Sequence, residues 1–287
     1  MTAIAAQQPA PSLGRQMLNK VPEVTLYFWI IKILCTTVGE TFADYLNVNL
    51  GLGLTTTSWL MAGVLLVALA VQFRSTKYVP GIYWLAVVLI SIVGTLVTDN
   101  LVDNLGVALE TTTIAFSICL AATFAIWYAS EKTLSIHTIV TTKREAFYWL
   151  AVLFTFALGT AAGDLVAERL GLGYGVSVLI FAACIAVITL AHYRFSLNAV
   201  FAFWAAYIMT RPLGASIGDL MSQPKVDGGW GLGTTVTSLI FLATILALVV
   251  YLTITRVDLE EVEEDESGHL HGEFEHPHIG KPLPEST

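Results

Sequence analysis

The sequence predicts an all-α integral membrane protein of eight transmembrane helices, arranged as four parallel two-helix repeats. Three observations predict it. Of the 287 residues, 55% are hydrophobic and only 13% charged, with a mean hydropathy of +0.72, whereas soluble domains carry about 25% charged residues. Eight apolar runs reach the ~20 residues with which a helix crosses ~30 Å of hydrocarbon. One pattern, a Trp, nine residues, a Gly, four residues and an Asp, recurs at Trp29/Gly39/Asp44, Trp84/Gly94/Asp99, Trp149/Gly159/Asp164 and Trp204/Gly214/Asp219.

In chain order, residues 1–21 read as a short cytoplasmic arm, because they hold no compact apolar region and no cleavage site follows the first apolar run. The runs fall at about 23–46, 54–73, 82–103, 111–130, 146–169, 176–193, 198–221 and 235–255. The odd-numbered runs carry the Trp-Gly-Asp pattern and the even-numbered ones are almost purely apolar. Each repeat, about 22–76, 77–134, 142–196 and 197–257, therefore reads as a helical hairpin with one polar and one apolar member. Within the hairpins, Gly residues follow the first helix and Thr or Ser opens the second, the residue types of C-caps and N-caps.

The Trp residues are spaced 55, 65 and 55 apart, so the first two copies match the last two at a constant shift of 120. That implies a duplicated two-hairpin ancestor, and units of two helices all keep one orientation about an axis along the membrane normal. The arm, the loops between hairpins and the tail hold Arg15, Lys20, Arg74, Lys77, Lys132, Lys143, Arg144, Arg194, Arg256 and Lys281, against only Arg169 and Lys225 in the turns within hairpins. The positive-inside rule then places both termini in the cytoplasm, the membrane being an inner (plasma) one. The Trp residues and their neighbours Phe28, Tyr83, Tyr148 and Phe203 read as an aromatic belt at the inner interface. The Asp residues, 15 positions on and about 22 Å along a helix, belong to the outer half.

Ionisable groups at membrane depth are costly and mark function. The small residue before three of the Asp residues (Ala43, Gly163, Gly218), with the Gly five positions before each Asp, makes a face on which helices approach closely. Packing explains those residues but not the acids. If four repeats surround one axis, Asp44, Asp99, Asp164 and Asp219 converge and must be protonated, paired or neutralised by a bound ion. Glu40 lies four residues before Asp44 and shares its helix face. Lys32 and Arg211 are the basic groups at this depth and read as internal counter-charges. Pro212 predicts a break in the seventh helix near Gly214 that exposes carbonyls beside Asp219. Thr36, Thr41, Thr95, Thr98 and Thr160 add hydroxyl oxygens. Carboxylate, hydroxyl and carbonyl oxygens form a hard-ligand set, suited to protons, Mg²⁺, Mn²⁺ or Ca²⁺.

The net charge of −8 comes largely from the acids between Asp258 and Glu275. Residues 258–287 read as a disordered acidic cytoplasmic tail, in which His269, His271, His276 and His278 could hold a divalent metal weakly. Cys35, Cys119 and Cys184 lie far apart in apolar runs and give no disulfide framework or zinc site. The expected partners are the lipid bilayer, a small cation and protons, with no nucleic acid and no covalent cofactor; an oligomer is compatible with the sequence.

The stretch Tyr27-Phe28-Trp29 through Gly39-Glu40-Thr41-Phe42-Ala43-Asp44, repeated four times across about residues 20–257, resembles bacterial membrane-anchored proteins defined by a fourfold repeat of unknown function. The resemblance implies fold and location, not an activity. Glu40 through Asp44 is also similar in part to the Glu-x-Gly-Asp motif of a cation/proton exchanger family handling Ca²⁺ and Mn²⁺, although Ala43 stands for the Gly, the spacing is one residue longer, and Tyr45 replaces the basic residue. The function expected from the residues is a secondary transporter of a divalent, Mn²⁺-like cation, coupled to protons. A non-transporting sensor or assembly module held by Asp–Lys/Arg pairs is the first alternative, and an organic-cation exporter the second. No serine-hydrolase or zinc-protease motif and no membrane-embedded His is present, so an enzyme is not expected.

Overall fold

The structure, a computed structural model, describes residues 19–258. It contains eight long helices: α1 (Leu26–Asp44), α2 (Leu54–Arg74), α3 (Pro80–Asp99), α4 (Leu109–Glu131), α5 (Thr142–Asp164), α6 (Tyr174–Phe195), α7 (Ala199–Ser222) and α8 (Thr234–Thr255), and among the described residues there is no strand. Seven are long and apolar enough to cross a membrane, which makes this a multi-pass membrane protein. The remaining one, α7, has 24 residues, but Arg211, Pro212 and Asp219 dilute its apolar content.

The motif-bearing helices form an inner ring. α1 packs on α3, α3 on α5, α5 on α7, and α7 back on α1. Each outer helix packs on the inner helix of the following unit: α2 on α3, α4 on α5, α6 on α7, and α8 on α1. The expected self-contained hairpins are thus replaced by a chain of exchanged helices that closes on itself. Ring closure explains why one outer face per unit suffices: it covers the outside of a neighbour whose inside is already buried.

Two contacts, each repeated in all four copies, set the ring. In the first, the motif Gly receives a side chain three positions before the next copy's Gly. A methyl group built at Gly39 would overlap Ser91, at Gly94 the Cβ of Phe156 (2.6 Å), at Gly159 the stem of Arg211, and at Gly214 the hydroxyl of Thr36. Glycine in mid-helix costs ~0.5–1 kcal/mol against Ala, and the close approach it permits repays that. In the second, the aromatic residue before each Trp meets the next copy's Trp: Phe28 with Trp84 (centroids 5.7 Å), Tyr83 with Trp149 (5.5 Å), Tyr148 with Trp204 (6.2 Å) and Phe203 with Trp29 (5.7 Å). Trp84, Trp149 and Trp204 are buried. They interlock helices instead of forming the lipid-facing belt expected from composition, because a ring of helices offers them aromatic partners on the inside.

The helix ends correct two further expectations. In the first three copies the chain widens after the Asp to i→i+5 bonding, with Leu50 N–H on Tyr45 O (3.0 Å), Leu105 on Asn100 (3.1 Å) and Leu170 on Leu165 (2.9 Å), a geometry common at functional positions. The outer helices then start at Gly53, Gly173 and Gly233 with φ of 74°, 76° and 78°. The hydroxyls expected to cap them lie inside the first turn and bond backward, as Ser177 does to Gly173 O (2.8 Å) and Thr237 to Gly233 O (2.9 Å). Helix α7 runs unbroken through Pro212, whose ring lies against Gly159 and Gly163 of α5, so the predicted break is absent.

At the opposite end, Asn19–Pro22, the close of the expected arm, are buried. Lys20 pairs with Glu145 of α5 at 2.7 Å and donates to Phe73 O at 3.1 Å, and its own N–H bonds to Ile139 O. Since these residues lead into α1, they cross the end of the ring from α1 to the diagonally opposite α5. Residues 1–18 and 259–287, which include His269, His271, His276 and His278, lie outside the described residues.

If the glycine seats set the ring, Gly39→Ala destabilises it by ~1–3 kcal/mol, and Ser91→Gly in the same chain recovers part of the loss. Thermal unfolding in detergent reads both; a neutral Gly39→Ala contradicts the account.

Candidate ion-binding site

The ring places its polar residues in layers along one axis. Beginning at the loop end, the aromatic layer contains Tyr83 and Tyr148, whose hydroxyls hydrogen-bond to each other. Just outside it, burial pushes the Tyr78 hydroxyl above its usual pKa, and the neighbouring Asp258 carboxylate adds to the effect. The next layer is Lys32, fully buried. Its Nζ donates to Thr210 Oγ1 (2.6 Å) and Tyr207 O (3.0 Å) and stands over the Tyr207 ring at 4.1 Å. Among the described residues it forms no ion pair.

Arg211 fills the axis next. Its side chain comes from α7 and reaches the other three inner helices: Nη1 donates to Thr36 O (3.3 Å), and Nη2 to Glu40 Oε2 (3.0 Å), to Thr160 Oγ1 (2.7 Å) and to Thr95 Oγ1. Glu40, Thr95 and Thr160 each follow the motif Gly, and Ala215 follows it in α7. The site is therefore built from one register position in four copies. Planarity and five fixed donors suit guanidinium to this role, for which the lysine point charge is a poor substitute.

Above Arg211 lie the carboxylates. Oxygens of Glu40, Asp164 and Asp219 fall within 4.8 Å of one another. Glu40 and Asp219 are each 7% exposed, and Asp44, Asp99 and Asp164 are half-buried. Asp44 and Asp99 lie outside the trio but within electrostatic range of its members. None of the four motif Asp side chains accepts a protein hydrogen bond or pairs with a basic residue among the described residues. Five acids thus face a single guanidinium, which is already committed to Glu40. Charges so placed demand compensation by protons or a bound cation.

The other sequence-predicted oxygens divide. Thr95 and Thr160 face Arg211, but Thr36 bonds to Ile33 O (2.6 Å), Thr41 to Thr37 O (3.2 Å) and Thr98 to Ala157 O (2.9 Å), all on backbone. At the turns, Glu110 pairs with Arg169 at 2.9 Å and Glu168 accepts from the Tyr174 hydroxyl at 3.1 Å, as solvated acids do. Sequence reasoning did not find Tyr207 and Thr210 as the partners of Lys32. The one available signal was that they lie on the same copy as Arg211, four positions and one position before it.

These features define a membrane protein made of four copies of one helical repeat around a polar axis. The family model described as Repeat of Unknown Function (DUF347) matches residues 27–78, 82–133, 147–197 and 202–258, and the chain belongs to that family. Each match holds one inner and one outer helix. No curated protein and no solved structure matches the chain, and the partial likeness to a Ca²⁺/Mn²⁺ exchanger gains no support.

Because Arg211 and Glu40 are buried together, Arg211→Met and Glu40→Met should each destabilise the protein by ~3–5 kcal/mol, and the double variant by much less than their sum. Denaturation of the single and double variants measures the coupling; additive losses contradict it.

Proposed function

We propose that the protein is a secondary transporter of a divalent, Mn²⁺-like cation, coupled to protons. The observation that carries this reading is the meeting of Glu40, Asp164 and Asp219, from α1, α5 and α7, with oxygens within 4.8 Å. That spacing is about twice a hard-cation–oxygen bond of ~2.0–2.6 Å, so one ion fits between them with Asp44 and Asp99 at the entrance. Carboxylate oxygen alone favours Mg²⁺, Ca²⁺ or Mn²⁺ over softer metals. Half-buried acids at the turn end give the ion a way in, while Arg211, the aromatic layer and the crossing segment Asn19–Pro22 close the other end. All eight helices, α7 included, then span a bacterial inner membrane as four parallel repeats, with the basic loop end cytoplasmic.

The reading as a non-transporting module finds support in two contacts, the buried Arg211–Glu40 and Lys20–Glu145 pairs. The four motif Asp residues, which a module of paired charges would neutralise, have no such partner among the described residues. For an organic cation the acids would need a cage of aromatic faces; Tyr174 lies within electrostatic range of Asp164 and Asp219, whereas the aromatic layer lies beyond Arg211.

Reconstituted into vesicles, the full chain should carry Mn²⁺, and Asp164→Asn and Asp219→Asn should each cut the flux about tenfold or more. Binding of Mn²⁺ should weaken as pH falls, since protons compete for the same oxygens. Undiminished flux in both variants contradicts the proposed site.

A further inference from the structure

The carboxylate basin leaves one buried charge unused. We infer that Lys32 is the proton-exchanging residue of the cycle, a site separate from the carboxylates that take the cation; this rests on the transport reading above.

Packing does not demand a lysine at this position. The residues in the same register of the other copies are Val87, Val152 and Tyr207, all buried. An ammonium in this layer has no carboxylate within reach, only Tyr207 O, Thr210 Oγ1 and the faces of Tyr207 and Phe156. The groups around it can be named helix by helix. α7 presents Arg211 and Tyr207, and α1 itself Cys35. α5 presents the Phe156 ring, and the residues of α5 and α3 in the same register, Val152 and Val87, are apolar. The one ionisable residue of α8, Tyr251, meets Tyr27 instead. Lys32 is therefore held beside a second cation and, among the described residues, apart from every acid, a position that serves reversible charge better than permanent charge.

The way out for the proton lies on the loop side. Lys32 meets the ring face of Tyr207, and beyond it lie Tyr148 and Tyr83, whose hydroxyls bond to each other. The step is a plain acid–base one: the Lys32 ammonium gives H⁺ to water entering from this side, which carries it out as hydronium, and remains as a neutral amine. On the other side, Arg211 separates Lys32 from the cation site. While Lys32 is charged, repulsion holds the guanidinium on Glu40; once the proton leaves, Arg211 is free to draw back and Glu40 to ligate the cation. Proton departure and cation entry are linked through one side chain.

The test uses the full chain in vesicles with Mn²⁺, comparing uptake driven by a pH gradient with Mn²⁺/Mn²⁺ exchange at equal pH. Lys32→Gln removes the charge, and Lys32→Arg keeps it without a proton to release. Both variants, checked for unfolding temperature, should lose gradient-driven uptake about tenfold or more; Lys32→Gln should keep exchange within about twofold of the unsubstituted protein, whereas Lys32→Arg, which holds the guanidinium on Glu40, should lose exchange about tenfold as well. Gradient-driven uptake that survives in either variant overturns the role of Lys32, and so does loss of exchange in Lys32→Gln or undiminished exchange in Lys32→Arg. Absence of Mn²⁺ exchange in the unsubstituted protein would instead overturn the transport reading itself.

Discussion

The whole molecule depends on how closely its four inner helices approach one another. At each motif Gly a neighbouring side chain occupies the space of a missing methyl, and because the seats run from copy to copy and return from Gly214 to Thr36, the four contacts close a ring. No single one is large, since a close helix contact in this setting gains packing and little hydrophobic energy. Closure makes them interdependent: displacing one helix opens two seats and two aromatic interlocks. The exchange of outer helices follows from the same constraint, as each groove between inner helices is covered by the helix that the chain has just delivered there.

A ring built from four copies would carry one residue type at each level if the copies were identical at the axis. They are not, and the differences fall in order along it. The position three before the motif Gly holds Thr36, Ser91, Phe156 and Arg211, the position after it Glu40, Thr95, Thr160 and Ala215, and the position three after the Trp holds Lys32, Val87, Val152 and Tyr207. One acid, one guanidinium and one amine thus enter a scaffold whose remaining copies supply hydroxyls and apolar filling. The Asp ring is shared by all four, and the singular residues decide what surrounds it.

Much of this was legible in the sequence. The invariant spacing of Trp, Gly and Asp carried the repeat, and an apolar composition carried the membrane. That Lys32 and Arg211 lie at the depth of the acids was legible, but not that Arg211 pairs with Glu40 while Lys32 pairs with no described acid, since both bases lie at similar depth. What was not legible depends on neighbours distant in the chain. The Trp residues look the same in sequence whether they face lipid or Phe28, Tyr83, Tyr148 and Phe203. Pro212 reads as a breaker until Gly159 and Gly163 make room for its ring. The hydroxyls of Thr36, Thr41 and Thr98 cannot be told from those of Thr95 and Thr160 by spacing, because a helix lets any of them turn back onto its own carbonyls.

The central claim is that acids from separate copies meet to hold one hard cation. Anomalous scattering from crystals of the protein grown with Mn²⁺ tests it directly. The account predicts a peak bounded by Glu40, Asp164 and Asp219 at ~2.0–2.6 Å from their oxygens. A protein saturated with Mn²⁺ that shows no peak there, with Arg211 still on Glu40, would contradict it.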